Sequence, residues 1–148
     1  MKRGFTLIEM LIVISVIAIM IAIAVPAFRG IQMDAKQSRA GADLKVMRVA
    51  IDSYLKNQND FPDATFGKGN VPNWQNTLLD TSPRVLEQKL FDPFRNGQVE
   101  FQYTVNGTYF IVWSVGPNQK STITGISEDG EVEGTIGDDV YQTNGQRI

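Results

Sequence analysis

Residues 10–25 read MLIVISVIAIMIAIAV, an apolar run broken only by Ser15. No charged residue stands between Glu9 and Arg29. About 20 residues of helix, at ~1.5 Å each, cross a ~30 Å hydrocarbon core. Residues 7–28 supply that length, with Glu9 inside it. The pattern predicts a membrane-spanning helix. After Arg29 the chain turns polar enough to bring its mean hydropathy to −0.13. Lys2 and Arg3 precede the apolar run, which favours a cytoplasmic N-terminus and a C-terminal domain on the far side of the membrane. A removable secretory signal is the rival reading. Its core would be long, it would carry Glu9, and the residues around Pro26 are bulky for a signal cleavage site.

Composition narrows the chemistry. The 148 residues carry a formal net charge of −2, so no global basic field draws nucleic acid, and no nucleic-acid partner is expected. The chain has no Cys and no His. That excludes disulfides, thiolate nucleophiles, imidazole bases and His- or Cys-ligated metals. No G-x-x-x-x-G-K-[ST] phosphate loop occurs, so any ATPase must be a separate protein.

Outward from the apolar run, Pro26 lacks an N–H and deprives the Ala22 carbonyl of its helix partner, which predicts a kink or local break. Residues 31–57 contain no proline. Leu44, Met47, Ile51, Tyr54 and Leu55 recur at helical spacing and form an apolar stripe for a sheet to pack on. Arg39/Asp43, Arg48/Asp52 and Asp52/Lys56 are i, i+4 pairs. Lys36, Arg39, Lys45 and Arg48 do not share one helix face. The helix is expected to end near residues 57–60, before Phe61-Pro62.

Residues 63–80 read as a long loop with one helical turn, anchored by Trp74. Residues 84–90 read as a short helix that ends before Pro93. Val99, Phe101, Tyr103 and Val105 alternate with polar neighbours, Asn106-Gly107 follows, and Tyr109, Ile111, Trp113 and Val115 alternate again. This is a β-hairpin with a two-residue turn, and the turn also accounts for the Asn106-Gly107-Thr108 sequon. Residues 121–126 are expected to add a third strand, and one sheet face to pack on the helix stripe. The fold class is α+β: a long N-terminal helix, half membrane and half amphipathic, on a small antiparallel sheet.

Gly4-Phe5-Thr6-Leu7-Ile8-Glu9, the apolar run and Pro26-Ala27-Phe28 closely resemble the type IV pilin class, which includes the pseudopilins of type II secretion. The resemblance implies a leader of residues 1–4, cleavage between Gly4 and Phe5 by a prepilin peptidase, and N-methylation of Phe5. It maps the family glutamate onto Glu9 and the helix proline onto Pro26. Ala18 stands where relatives commonly carry glycine, which favours the helix by about 0.8–1.0 kcal/mol. A carboxylate inside an apolar span costs about 2.5–3.5 kcal/mol on insertion scales, so it needs a partner. Cleavage would place a positive amine about 6 Å of helix rise before Glu9, within one chain, or at a neighbour in an assembly.

Asp92-Pro93-Phe94, an aromatic pair near Tyr103, Ser114-Val115-Gly116-Pro117-Asn118 and the Tyr54…Asn59-Asp60-Phe61-Pro62 stretch resemble the major, G-type pseudopilin. Absence of Cys agrees, since many adhesive pilins close a C-terminal loop with a disulfide. G-type relatives bind calcium in that loop, and the matching residues here are Asp138 and Asp139, with Asn118 where relatives often have an acid. The tail is longer than theirs and no EF-hand pattern fits it. The competing reading of these residues is a solvated acidic loop.

The implied function is a structural one, with no catalytic residues: the repeating subunit of a pseudopilus that drives type II secretion. Its partners would be copies of itself, the peptidase, an assembly platform with its ATPase, and minor pseudopilins. Its place would be the bacterial inner membrane with a periplasmic domain, then the filament. The alternative within the class is a type IV pilin for attachment, motility or DNA uptake. A more remote alternative is a membrane-anchored enzyme using Glu128, Asp129, Glu131, Glu133, Asp138 and Asp139.

Overall fold

The computed structural model describes residues 5–63, 66–67, 71–72 and 74–146; Gly4 and the rest of the leader lie outside the described residues. Helix α1 is Leu7–Gln58 and passes Pro26 without interruption, so the break expected there is absent. The neighbouring turns carry the helix past one missing hydrogen bond. Asn59, at φ 54, ends it in the left-handed conformation, and its N–H reaches the Leu55 carbonyl at 2.8 Å. The chain divides into two units, Met1–Ala35 and Lys36–Ile148.

In the first unit every described residue is exposed. The second unit holds the core. Ala40, Leu44, Met47, Ala50 and Ile51 of α1 are buried, so the stripe follows the expected spacing but begins a turn earlier. Leu55 is only half-buried. Arg39–Asp43 and Arg48–Asp52 pair at 3.5 and 3.9 Å. Asp52 turns toward Arg48, and no Asp52–Lys56 pair forms among the described residues.

Strands β1, Phe66–Gly67, and β2, Val71–Pro72, pair antiparallel, and α2 is Trp74–Asp80. Trp74 is the anchor the sequence suggests. It is buried, stacks on Tyr103 with ring centroids 4.6 Å apart, and donates to the Phe101 carbonyl at 3.3 Å.

Residues 84–90 are not helical. Seven residues are too few to nucleate a helix without tertiary help, and here tertiary contacts favour an extended path. The buried Gln75 side chain donates to the Leu90 carbonyl and accepts the Leu90 N–H, both at 2.9 Å, and the Leu86 N–H goes to the Leu78 carbonyl.

Strands β3, Gln102–Asn106, and β4, Tyr109–Ser114, form the hairpin. Asn106 pairs with Tyr109, so the two-residue turn is Gly107-Thr108, one position later than expected. Gly107, at φ 59, occupies the first turn position, where a type II′ hairpin favours glycine. The third strand of this sheet is β7, Val140–Thr143, antiparallel to β4. Residues 121–126 do supply a strand, β5 at Ile123–Ile126, but it pairs with β6, Val132–Gly134, in a separate two-stranded sheet.

Both faces of β4 are buried. Phe110 and Val112 join Phe101, Tyr103 and the α1 stripe in the main core. Ile111 and Trp113 face a second cluster with Ile123, Ile126 and Val132. The alternating set Tyr109, Ile111, Trp113 therefore lies on the layer away from the helix.

Candidate functional sites

The first site is the start of α1. Thr6 precedes the helix and Glu9 is its third residue. The Thr6 N–H and hydroxyl donate to Glu9 Oε2 at 2.9 and 2.8 Å, and the Glu9 N–H returns to the Thr6 hydroxyl oxygen at 3.3 Å. This is a capping box: it satisfies orphan donors of the first turn and supplies the carboxylate with a partner inside its own chain. The T-x-x-E spacing ahead of an apolar run carries that signal in the sequence. Ser15 donates to the Leu11 carbonyl at 2.7 Å, so the one polar break in the run is satisfied internally. Phe5 is 77% exposed, and large apolar side chains stay exposed from Leu7 to Met33. Surface of that extent marks a membrane or a binding partner.

The second site is the loop pair after β4 and before β7. Asp138 accepts the Asn118 N–H at 2.8 Å on Oδ2 and the Asn118 side-chain amide on Oδ1. Asn118 Oδ1 in turn accepts the Lys120 N–H at 2.6 Å. Asp139 is buried; its Oδ2 accepts the Thr122 N–H, the Thr122 hydroxyl and the Ile123 N–H at 2.8, 3.1 and 3.0 Å. Its Oδ1 is buried with no hydrogen-bond partner among the described residues. Gly116, at φ 67, lies so close to the Asp138 carbonyl that a Cβ would collide with it. The structure thus joins Asn118 to Asp138, while the adjacent Asp139 carboxylate turns to Thr122 and Ile123 instead.

The donor chemistry of this set fits a hard cation in kind. Asp138 and Asp139 supply carboxylates at adjacent positions and Asn118 an amide beside Asp138, and the buried Asp139 Oδ1 lacks a hydrogen-bond partner among the described residues. Asn118 presents its amide nitrogen to Asp138, so it would have to turn over to act as a ligand. No group of three or more acidic residues gathers among the described residues, so backbone carbonyls and water would complete the six or more oxygens calcium takes. Glu128, Asp129, Glu131 and Glu133 are exposed around the β5–β6 turn.

A third arrangement links two stretches singled out only for their family likeness. Asp92 is buried and accepts from the Phe94 N–H and the Ser114 hydroxyl on Oδ1, and from the Val115 N–H on Oδ2. It ties Asp92-Pro93-Phe94 to the start of the loop that holds Asn118.

The family model of the prokaryotic N-terminal methylation motif matches residues 1–25. The chain is 42% identical over 62 residues to the type IV major pilin protein PilA of Myxococcus xanthus, an alignment covering 42% of this chain and 28% of that protein. It is 27% identical to a fimbrial protein of Pseudomonas aeruginosa, over 84% of this chain and 75% of the relative. No solved structure matches significantly. Motif and fold together make the chain similar to type IV pilin-like proteins, and the relatives it matches are structural subunits rather than enzymes. It is also like the type II secretion system core protein G of Dickeya chrysanthemi, 25% identical over 72% of this chain and 79% of that one.

Proposed function

We propose that the chain is the repeating subunit of a pseudopilus that drives type II protein secretion. The observation that carries a filament role is the exposed apolar N-terminal half of α1, which carries a methylation motif. In water that surface is untenable; lipid before assembly and a bundle of identical helices afterwards both cover it. Cleavage between Gly4 and Phe5 would free an amine, methylated in place. Glu9 would then exchange its Thr6 bonds for a Phe5 amine in the filament, with Pro26 in the same helix half. The peptidase, assembly platform, separate ATPase and minor pseudopilins are the partners this reading requires. Residues 5–28 would be the filament-core half and 29–148 the periplasmic domain of an inner-membrane protein.

Two features support the pseudopilin over the pilus: the chain has no Cys to close its C-terminal loop, and Asn118 lies against Asp138 there, beside an Asp139 with one unpartnered buried oxygen among the described residues. We include a calcium ion held by Asp138, Asp139 and Asn118, where it would tie the loops before β5 and β7 to each other. The fimbrial relative, matched over 84% of this chain, favours a type IV pilin instead.

The test is complementation. The chain is expressed in a bacterium lacking its own core protein G but keeping the rest of the secretion apparatus, and secreted protein is assayed beside electron microscopy of sheared filaments. Restored secretion supports the pseudopilin. Filaments with attachment or twitching and no secretion favour the pilin. No filaments of any kind, from a correctly cleaved chain, would overturn both.

A further inference from the structure

We propose that Asn96 is a site of spontaneous deamidation, giving each copy of the protein a slow, one-way chemical change on its surface. Three Asn-Gly pairs occur in the chain: Asn96-Gly97, Asn106-Gly107 and Asn144-Gly145. Glycine leaves the following backbone nitrogen unobstructed, so such pairs share one reaction. The Gly nitrogen loses its proton to a solvent base and attacks the Asn Cγ. The new N–C bond forms as the Cγ–Nδ2 bond breaks, and Nδ2 departs as ammonia with a proton from solvent. Water then opens either carbonyl of the succinimide ring, leaving aspartate or isoaspartate. No oxidant or further reactant is needed.

The structure treats the three pairs differently. The Asn106 side chain, on a paired strand, donates to the Ile126 carbonyl at 3.1 Å. Asn144 is held at both ends: its Oδ1 accepts the Phe110 N–H at 2.8 Å and its Nδ2 donates to the Thr108 carbonyl at 2.9 Å. The nitrogen that would attack it, that of Gly145, donates to the Thr143 hydroxyl oxygen at 2.9 Å. Reaction at either site must wait for local opening. Asn96 and Gly97 are both exposed, and neither the Asn96 side chain nor the Gly97 N–H makes a hydrogen bond among the described residues. Nothing lies within 4 Å of where a Cβ on Gly97 would stand. Gly97, at φ 88, adopts a conformation that glycine tolerates freely.

The product is chemically distinct. It adds one negative charge beside Arg95, taking the formal net charge from −2 to −3. The isoaspartate form also lengthens the backbone by one carbon, within a loop closed by the Asp92 N–H bond to the Val99 carbonyl at 2.9 Å.

The experiment incubates the full chain in detergent micelles, in mildly alkaline buffer made with heavy-oxygen water, and maps label uptake by peptide mass spectrometry. Asn96 should convert at least about tenfold faster than Asn106 and Asn144 in the folded chain, and the three rates should converge in urea, where the protecting bonds are gone. Isoelectric focusing of Asn96→Gln should lack the acidic species that accumulates in the parent. Equal rates at the three sites in the folded chain would overturn the proposal, as would the same acidic species arising in Asn96→Gln.

Discussion

The Asp92 carboxylate accepts the Ser114 hydroxyl at 2.7 Å, across 22 residues of sequence and with both groups buried. Because the same carboxylate also takes the Phe94 and Val115 N–H groups, its loss strands three donors in the interior. Asp92→Ala should destabilise the fold by about 3 kcal/mol, and Asp92→Asn, which keeps one acceptor oxygen, by less. Urea unfolding followed by fluorescence of Trp74 and Trp113 reads both. A loss below about 1 kcal/mol for the Ala variant would show that the clasp is dispensable.

Glu9 and Thr6 should separate capping from assembly. Thr6→Ala removes a helix cap at a cost of about 1 kcal/mol. Glu9→Ala and Glu9→Leu should leave the monomer folded and inserted but impair filament growth. Membrane fractionation and sheared-filament yield measure the two properties independently. Normal filaments from Glu9→Ala would remove the carboxylate from the assembly mechanism.

Processing has a mass signature. Intact-mass spectrometry of assembled fibres should find chains beginning at N-methylated Phe5, and Gly4→Val should block leader removal. Fibres built from chains that retain Met1 would contradict this.

Calcium should raise the melting temperature of the full chain in micelles, and a chelator should lower it. Binding to the folded state alone at 100 times Kd adds about 2.7 kcal/mol. Asp138→Ala and Asp139→Ala should abolish the difference. A melting temperature indifferent to calcium in the parent chain would leave the loop held by the Asn118–Asp138 and Asp139–Thr122 bonds alone.

Tyr103 predicts an alkaline weakness. Burial, helped by nearby Asp60 and Tyr54, pushes its phenol well above the ordinary value of 10.0. The folded chain therefore keeps a proton that the unfolded chain gives up. Its contribution to stability is complete below about pH 10 and is lost as pH climbs from there toward the raised folded value. Its hydroxyl is also buried without a partner among the described residues. Tyr103→Phe should be neutral or stabilising at pH 7 and should flatten the loss of stability above pH 10, as read by urea midpoints across pH. An unchanged alkaline slope in that variant would place the effect elsewhere.

The long helix and the hairpin are legible in the sequence because their signals are local: an uninterrupted apolar run, and alternation around Asn106-Gly107. Strand β4 is harder. Its alternation is visible, but both of its faces are buried, so period alone does not tell which set meets the helix. Residues 84–90 mislead because what decides their path is a side chain far along the sequence, Gln75. Asp92 shows the same limit: its partner Ser114 lies beyond any window in which a motif is read. Asn118, Asp138 and Asp139 are found through family likeness, and the meeting of Asn118 with Asp138 depends on the close approach at Gly116.

Strand β4 is a wall shared by two rooms. Stripping the β5–β6 hairpin bares Ile111 and Trp113, while loosening α1 bares Phe110 and Val112 on the same backbone. Neither layer can come away without weakening the strand that supports the other. The amides of β4 should accordingly be the last in the domain to exchange with deuterium, and dyes or quenchers directed at either side should register a single melting event.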